Sequence, residues 1–217
     1  MIEIRTRGRQ ILLLVLLRMS VEAYAETKPV GETQTKAQSE NGQYISWQEH
    51  LIDDVSITGV AISGSDGLVM YDLDGDGFDD IVSVHESDTR YDGEPDGHVR
   101  IAFGSSSPHQ WTNITLAEGS EAGAPEDAAI GDLNGDGYPD VIVAAELAHL
   151  IYLQNPGTDI RQRRWPRLIL PMTQNRGSYI RVFLADFNHD GTPEAIAPNK
   201  GTQNPSAADF EVKTSIS

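Results

Sequence analysis

Three short loops rich in acidic residues are the part of this 217-residue sequence best suited to chemistry. They read DLDGDGFDD from Asp72, DLNGDGYPD from Asp132 and DFNHDGTPE from Asp186. In each loop, oxygen-bearing side chains occupy positions 1, 3, 5 and 9. The glycine after position 5 can adopt the positive φ that a tight turn needs. With the backbone carbonyl at position 7, these groups form a set of hard oxygen donors, which suits Ca²⁺ and suits zinc badly.

The sequence therefore predicts three calcium sites, one in each loop. Mg²⁺ is a poorer candidate because it prefers to keep several waters. Acidic β-turns without a metal are the alternative, since Asp, Asn and Gly favour turns, although the converging carboxylates would then repel one another. The third loop departs from the others at His189 and Glu194. The predicted ligands are Asp72, Asp74, Asp76, Phe78 (carbonyl) and Asp80; Asp132, Asn134, Asp136, Tyr138 (carbonyl) and Asp140; and Asp186, Asn188, Asp190, Thr192 (carbonyl) and Glu194.

An EF-hand loop begins with the same acidic pattern, but it needs a glutamate at position 12 and a helix on either side. Position 12 is Ser83, Val143 or Ala197 in the three loops. The flanking segments GLVMY, DIVSV, DVIVAA and IRVFLA look like strands. The sequence therefore excludes an EF-hand and predicts that each loop joins two short strands.

The elements that position these loops recur along the chain. The loops start 60 and 54 residues apart, and Trp47, Trp111 and Trp165 precede them by 25, 21 and 21 residues. Each tryptophan opens a strand-like run, so we expect it to pack within its repeat rather than to form a sugar-stacking platform. In the second repeat the predicted strands are 127–131, 140–145, 149–154 and 164–170. Four short strands match a propeller blade, although strand counting alone does not separate a propeller from a sandwich.

The D-x-[DN]-x-D-G-x-x-D motif between strands, with IAFGSSS (101–107) and IYLQNPG (151–157) downstream, resembles the FG-GAP/VCBS repeat family over about residues 45–200. The resemblance implies an all-β fold, a calcium-binding β-propeller like the integrin α head, which closes with seven blades. Residues 45–217 hold about three blades, and a closed ring needs roughly four to eight. We therefore expect an incomplete β-propeller, arising either from a truncated chain or from a ring completed by association through open blade edges.

The N-terminal residues resemble an export signal. In residues 1–25, arginines precede the apolar run Ile11–Leu17, and Ala23-Tyr24-Ala25 forms a small-residue cleavage pattern. A cleaved signal peptide is the prediction, and an uncleaved anchor is the alternative. Residues 26–44 have almost no large apolar side chain, which predicts a disordered linker before the repeat region. The expected location is secreted, periplasmic or on the cell surface.

Composition narrows the function classes. The formal net charge is −17, from 16 basic and 33 acidic residues, which argues against nucleic acid and anionic membranes as partners. The absence of cysteine excludes disulfides, thiolate zinc sites and cysteine nucleophiles. His85, Glu86 and His98 border a long insert and could form a catalytic site, but a solvated loop is the favoured interpretation.

The predicted function is an exported, calcium-binding repeat protein that acts as a protein- or glycan-binding module of the adhesion type, with structural calcium and no catalytic residues. The protein is predicted not to be an integral membrane protein. The alternative is a fragment or accessory domain of a carbohydrate-active lyase or hydrolase, because the FG-GAP/VCBS family includes such domains.

Overall fold

The computed structural model describes residues 33–87, 96–161, 164–202 and 206 of the chain. These residues divide into two compact units, with the boundary between Glu49 and His50. Short strands dominate the described residues, which also contain one four-residue α-helix, α1 (Val55–Thr58), and three 3-10 helices, Gly119–Glu121, Gly157–Asp159 and Pro171–Thr173. The strands are β1 (Thr33–Gln38), β2 (Tyr44–Trp47), β3 (Ser65–Tyr71), β4 (Asp80–His85), β5 (His98–Phe103), β6 (Thr112–Glu118), β7 (Pro125–Gly131), β8 (Asp140–Ala145), β9 (His149–Leu153), β10 (Arg167–Ile169), β11 (Ser178–Tyr179), β12 (Phe183–Ala185), β13 (Glu194–Ile196) and β14 (Asn199–Gly201).

The first unit contains an antiparallel hairpin of β1 and β2. Its turn is closed by a hydrogen bond from the Gly42 N–H to the Ser39 carbonyl, 2.9 Å long, and Gly42 has a φ of 79°. From Thr33 onward, the predicted disordered linker therefore contains regular strands, because backbone pairing around an Asn-Gly turn needs no large apolar side chain. The predicted signal peptide and residues 26–32 lie outside the described residues.

The second unit contains two four-stranded antiparallel sheets in which strands consecutive in sequence pair with each other, β3-β4-β5-β6 and β7-β8-β9-β10. The strands of the second sheet lie close to their predicted positions: β7 starts two residues early, β8 is as predicted and β9 ends one residue early. The predicted strand 164–170 shrinks to the three residues of β10. Pro166, just before it, lacks the N–H that a further ladder bond would use.

The third repeat contributes two pairs of short strands, β12 with β13 and β11 with β14. β7 packs against both β3 and β12, so the first strands of the three repeats lie side by side. This approach explains Gly67, where a Cβ atom would lie 2.7 Å from Asp127 Cα, and Gly131, where it would lie 2.9 Å from Leu184 Cδ1. The prediction of an all-β fold with a partial propeller is confirmed: the described residues form two four-stranded blades and part of a third, and they do not close a ring.

The main core lies between the two four-stranded sheets. It contains fully buried valines and isoleucines from β4, β5, β8 and β9, together with Phe103 and Trp165. The Trp165 Nε1–H donates to the Ile160 carbonyl at 2.9 Å, which satisfies its one polar group. Trp111 is half-buried, whereas Trp47 is 69% exposed at the end of β2. The predicted packing role therefore fits Trp165, and it is wrong for Trp47, whose strand has β1 as its one partner among the described residues.

Residues near α1 attach to the outer strands of the first blade. Arg100, which is 2% exposed, forms two hydrogen bonds with Asp53, of 2.7 and 3.0 Å, and Asn113 donates to the Ile52 carbonyl at 2.9 Å. The two bonds to Asp53 satisfy an arginine that is otherwise costly to bury. Among the described residues, no helix has the length and apolar character that a membrane crossing requires.

Candidate metal centre

Each acidic loop joins the first and second strands of its repeat: β3 to β4, β7 to β8, and β12 to β13. In every repeat, the loop begins just after the first strand and its position 9 is the first residue of the second strand. The backbone hydrogen bonds to the side chains at positions 1, 3 and 5 also recur in all three loops. The sequence pattern therefore corresponds to one repeated structure rather than to three unrelated turns.

The aspartate at position 1 organises each turn through both of its carboxylate oxygens. Asp72 accepts hydrogen bonds from the N–H groups of Asp76 (3.1 Å) and Gly77 (3.0 Å). The same pair of bonds has lengths of 3.2 and 2.8 Å at Asp132, and of 3.1 and 2.9 Å at Asp186. These bonds hold the position-1 side chain over the loop, where its remaining lone pairs can face a ligand.

The residues at positions 3 and 5 are fixed in the same way. The N–H at position 5 donates to the position-3 side chain at 3.2, 2.9 and 2.8 Å in the three loops. The N–H at position 7 donates to the position-5 carboxylate at 2.9, 2.9 and 2.8 Å. In the second loop, this bond from Tyr138 is the main reason that the pKa of Asp136 is lowered. The oxygens at positions 1, 3 and 5 are therefore positioned by the backbone of their own loop.

Positive φ angles make these turns possible. The glycine at position 6 has a φ of 91° at Gly77, 89° at Gly137 and 92° at Gly191. Position 4 also lies in the left-handed region, and there the third loop has His189, with a φ of 61°, where the first two loops have glycine. The third loop thus keeps the same backbone at some cost in strain, because a non-glycine residue disfavours this conformation.

In the first two loops, position 9 is different because its carboxylate is buried, whereas Glu194 in the third loop is half-buried. Asp80 and Asp140 are both 0% exposed. Asp80 accepts hydrogen bonds at 2.9 Å from the N–H of Leu73, in its own loop, and from the N–H of Gly104, after β5. Burial raises the pKa of Asp80 to about 6, and the two backbone donors oppose this shift. The residue at position 9 therefore joins the loop to the end of the third strand of its blade.

The second and third loops repeat this arrangement with variations. Asp140 accepts from the N–H groups of Leu133 (3.1 Å) and Asn155 (2.8 Å) and from the Tyr152 hydroxyl (3.0 Å), and burial raises its pKa. Asn155 therefore occupies the position that Gly104 occupies in the first blade. In the third loop, Glu194 accepts from the Phe187 N–H at 2.8 Å.

The carboxylates converge most clearly in the first and third loops. Asp72, Asp74 and Asp80 place ligand atoms within 4.8 Å of one another, as do Asp186, Asp190 and Glu194. Within the described ranges, the second loop has no carboxylate trio this close, and its position 3 carries the amide of Asn134. Oxygen donors alone, several of them anionic and one of them buried, form a donor set that fits a hard cation such as Ca²⁺.

Two residues at the first loop were not predicted from the sequence. Arg161, which follows β9, donates from Nε and Nη2 to Asp74 Oδ2, at 3.0 and 2.6 Å. Asn155 donates from Nδ2 to the carbonyls of Leu73 (3.4 Å) and Pro139 (2.9 Å). The contacts of Arg161 with Asp74 and of Asn155 with Leu73 cross from the second blade to the first, whereas the bond from Asn155 to Pro139 stays within the second blade. Only the Asn-Pro-Gly turn at 155–157 marked this region in the sequence, and it gave no indication of the partner.

The histidines considered as catalytic candidates are paired within the first blade. His85 and His98 lie opposite each other in β4 and β5. His85 Nε2 lies 3.0 Å from Ser83 Oγ, and His98 Nδ1 lies 2.8 Å from Ser87 Oγ. Burial lowers the pKa of both imidazoles. Most of the insert between them, residues 88–95, lies outside the described residues.

Comparison with known protein families agrees with this geometry. The model of the FG-GAP-like repeat matches residues 72–143, from the first residue of the first loop to β8 of the second blade. A search of curated proteins gives no match. Repeats of this family are typically non-enzymatic, and they indicate an adhesion-type or ligand-binding module. The chain therefore carries an FG-GAP-like repeat, at residues 72–143.

Proposed function

We propose that this protein is an exported, calcium-stabilised repeat module that binds another protein or a glycan. The observation that carries the proposal is the repeated cage of oxygens, in which positions 1, 3 and 5 are held by the same backbone hydrogen bonds in all three loops. Such preorganisation favours cation binding, because the carboxylates need little further ordering when an ion arrives.

Calcium would act structurally in this proposal. The buried carboxylates Asp80 and Asp140 already connect their loops to the following strands. Calcium at the same oxygens would offset the repulsion between neighbouring carboxylates and would stabilise the folded state over the unfolded chain. The residues that would hold it are those predicted at positions 1, 3, 5, 7 and 9. Their role is to bind the ion and to fix the strand connections.

Thermal unfolding tests the calcium part of the proposal. The full chain is compared in EGTA, in Mg²⁺ and in saturating Ca²⁺. At a calcium concentration of about 100 times Kd, each occupied site adds about 2.7 kcal/mol, so that one site alone raises Tm by roughly 5–10 °C for a domain of this size. Mg²⁺ should give a much smaller rise. Equal Tm values in EGTA and Ca²⁺ would overturn the proposal.

Binding and export need separate experiments. N-terminal sequencing of the protein recovered outside the host cells should begin at Glu26 if the predicted signal is cleaved.

Glycan arrays and panels of cell-surface proteins, probed in Ca²⁺ and in EGTA, should show calcium-dependent capture of one ligand class. If folded protein captures the same ligand in EGTA, ligand binding does not depend on calcium. The alternative, a fragment or accessory domain of a carbohydrate-active lyase or hydrolase, stays a prediction.

A further inference from the structure

The first acidic loop differs from the other two because an arginine from the neighbouring blade reaches its carboxylates. Arg161 lies between β9 and β10 of the second blade. Besides its two hydrogen bonds to Asp74 Oδ2, its Nη2 lies 3.6 Å from Asp76 Oδ2. Within the described ranges, no other arginine or lysine forms an ion pair with a carboxylate of the three loops.

The guanidinium of Arg161 also packs on the ring of Phe103. Its guanidinium carbon lies 4.6 Å from the ring centroid of Phe103, which is 1% exposed and belongs to the core between the blades. A guanidinium over an aromatic face gains a cation–π contribution, and its N–H groups remain free to donate to neighbouring carboxylates. The Asp74 side chain is only 9% exposed, whereas the Arg161 side chain is 42% exposed, so the ion pair is shielded from water mainly on the carboxylate side. Arg161 therefore contacts the loop and Phe103 at the same time while part of its side chain remains in water.

Asn155, six residues before Arg161, contacts both of the first two acidic loops. The Asn155 N–H is bound to Asp140, the buried carboxylate of the second loop, and its side chain donates to the Leu73 carbonyl of the first loop. The Gly157 N–H donates to Asn155 Oδ1 at 2.9 Å. The segment from Asn155 to Arg161 thus connects the second loop to the first.

We propose that Arg161 is an affinity-setting residue of the first loop: it holds Asp74 and Asp76 when no cation is bound and competes with calcium for the same two carboxylates. This inference rests on the proposed calcium binding. Because the guanidinium and the ion carry like charges and use the same oxygens, the first loop should bind calcium more weakly than it would without Arg161. The second and third loops have no such competitor among the described residues.

The test compares Arg161→Gln with Arg164→Gln in the full chain. Both changes remove one positive charge, but Arg164 is exposed and lies 3.8 Å from Glu118 and Glu121, outside the loops. Calcium titration by calorimetry gives the affinities, and loss of one site in Asp72→Asn assigns the first loop. Arg161→Gln should tighten binding at that loop by about tenfold or more, whereas Arg164→Gln should change it by less than about twofold.

A second measurement separates this role from simple packing. In EGTA, Arg161→Gln should lower Tm by about 2–4 °C, because the contact between blades is lost. Arg161→Gln is therefore expected to lower Tm in EGTA but to raise the calcium affinity of the first loop. Arg161→Lys keeps the charge and should retain the weak affinity. If Arg161→Gln does not fold, Arg161→Met, which keeps an unbranched apolar stem over Phe103, takes its place with the same expectations.

The outcomes distinguish the inference from the proposed function. If the wild-type protein binds no calcium, the calcium proposal fails and this inference fails with it. If the wild-type protein binds calcium and the Arg161 and Arg164 variants bind it equally, only the role of Arg161 is overturned. Equal tightening by Arg161→Lys and Arg161→Gln would overturn charge competition as the mechanism.

Discussion

Replacing Asp80 with asparagine tests whether the residue at position 9 holds the blade together independently of any ion. Both Asp80 oxygens accept backbone N–H groups, from Leu73 and Gly104, and the residue is 0% exposed. Asparagine keeps one accepting oxygen and places an NH₂ group opposite the other donor. One buried N–H is then left without an acceptor in either orientation of the amide.

The magnitude follows from that single lost partner. Leaving a buried donor unsatisfied costs about 1–3 kcal/mol. Removal of a buried negative charge offsets part of this cost in metal-free protein, since burial already raises the pKa of Asp80 to about 6. We therefore expect Asp80→Asn to lose about 1–2 kcal/mol of unfolding free energy in EGTA. In calcium the loss should be larger, because a predicted ligand is weakened as well.

Urea unfolding in EGTA at pH 7 measures this difference, with Asp79→Asn as the matched control. Asp79 is the neighbouring residue, is exposed and is not a predicted ligand. It should change the unfolding free energy by less than about 0.5 kcal/mol. If Asp80→Asn and Asp79→Asn unfold at the same urea concentration in EGTA, the structural role assigned to the buried carboxylate is refuted.

Three further changes test other parts of the structure. Gly104→Ala should lose about 1–3 kcal/mol in urea unfolding, because its Cβ would lie 2.4 Å from the Asp79 carbonyl oxygen, and the exposed Ser106→Ala serves as its control. Trp165→Ala should lose about 3–5 kcal/mol and Trp47→Ala less than about 0.5 kcal/mol; equal losses would contradict the different burial of the two residues. Because burial lowers the His85 pKa, the unfolded chain binds the proton more tightly, so the contribution of His85 to stability in EGTA should fall as the pH drops through about 6.5. His85→Gln should reduce this fall and His109→Gln should not.

Much of the fold could be predicted because the informative interactions are local. Within each loop, the hydrogen bonds to the side chains at positions 1, 3 and 5 join residues two to five positions apart, so the spacing of Asp, Asn and Gly specifies the turn directly. The flanking strands followed from short apolar runs, and β8 agrees with its predicted bounds. The choice of a propeller came from the family resemblance, and the packing of β7 between β3 and β12 supports it.

The rest depended on contacts between residues distant in sequence. Arg161 and Asp74 are 87 positions apart, and nothing in the repeat pattern indicates that pairing. The burial of Asp80 depends on Gly104, 24 residues away. Trp47 was misplaced because its type matched the repeat, although its spacing to the following loop is 25 residues instead of 21. That irregular spacing was the available signal that Trp47 does not occupy the equivalent position.

Native mass spectrometry of the full chain, in calcium and after EGTA, tests the central claim most directly. The loops predict three calcium ions per chain, bound together with folded protein and removed by EGTA. Asp132→Ala should reduce the count to two, whereas Asp127→Ala, outside the loops, should leave it at three. A chain whose mass and charge-state distribution are identical in calcium and EGTA would contradict the account.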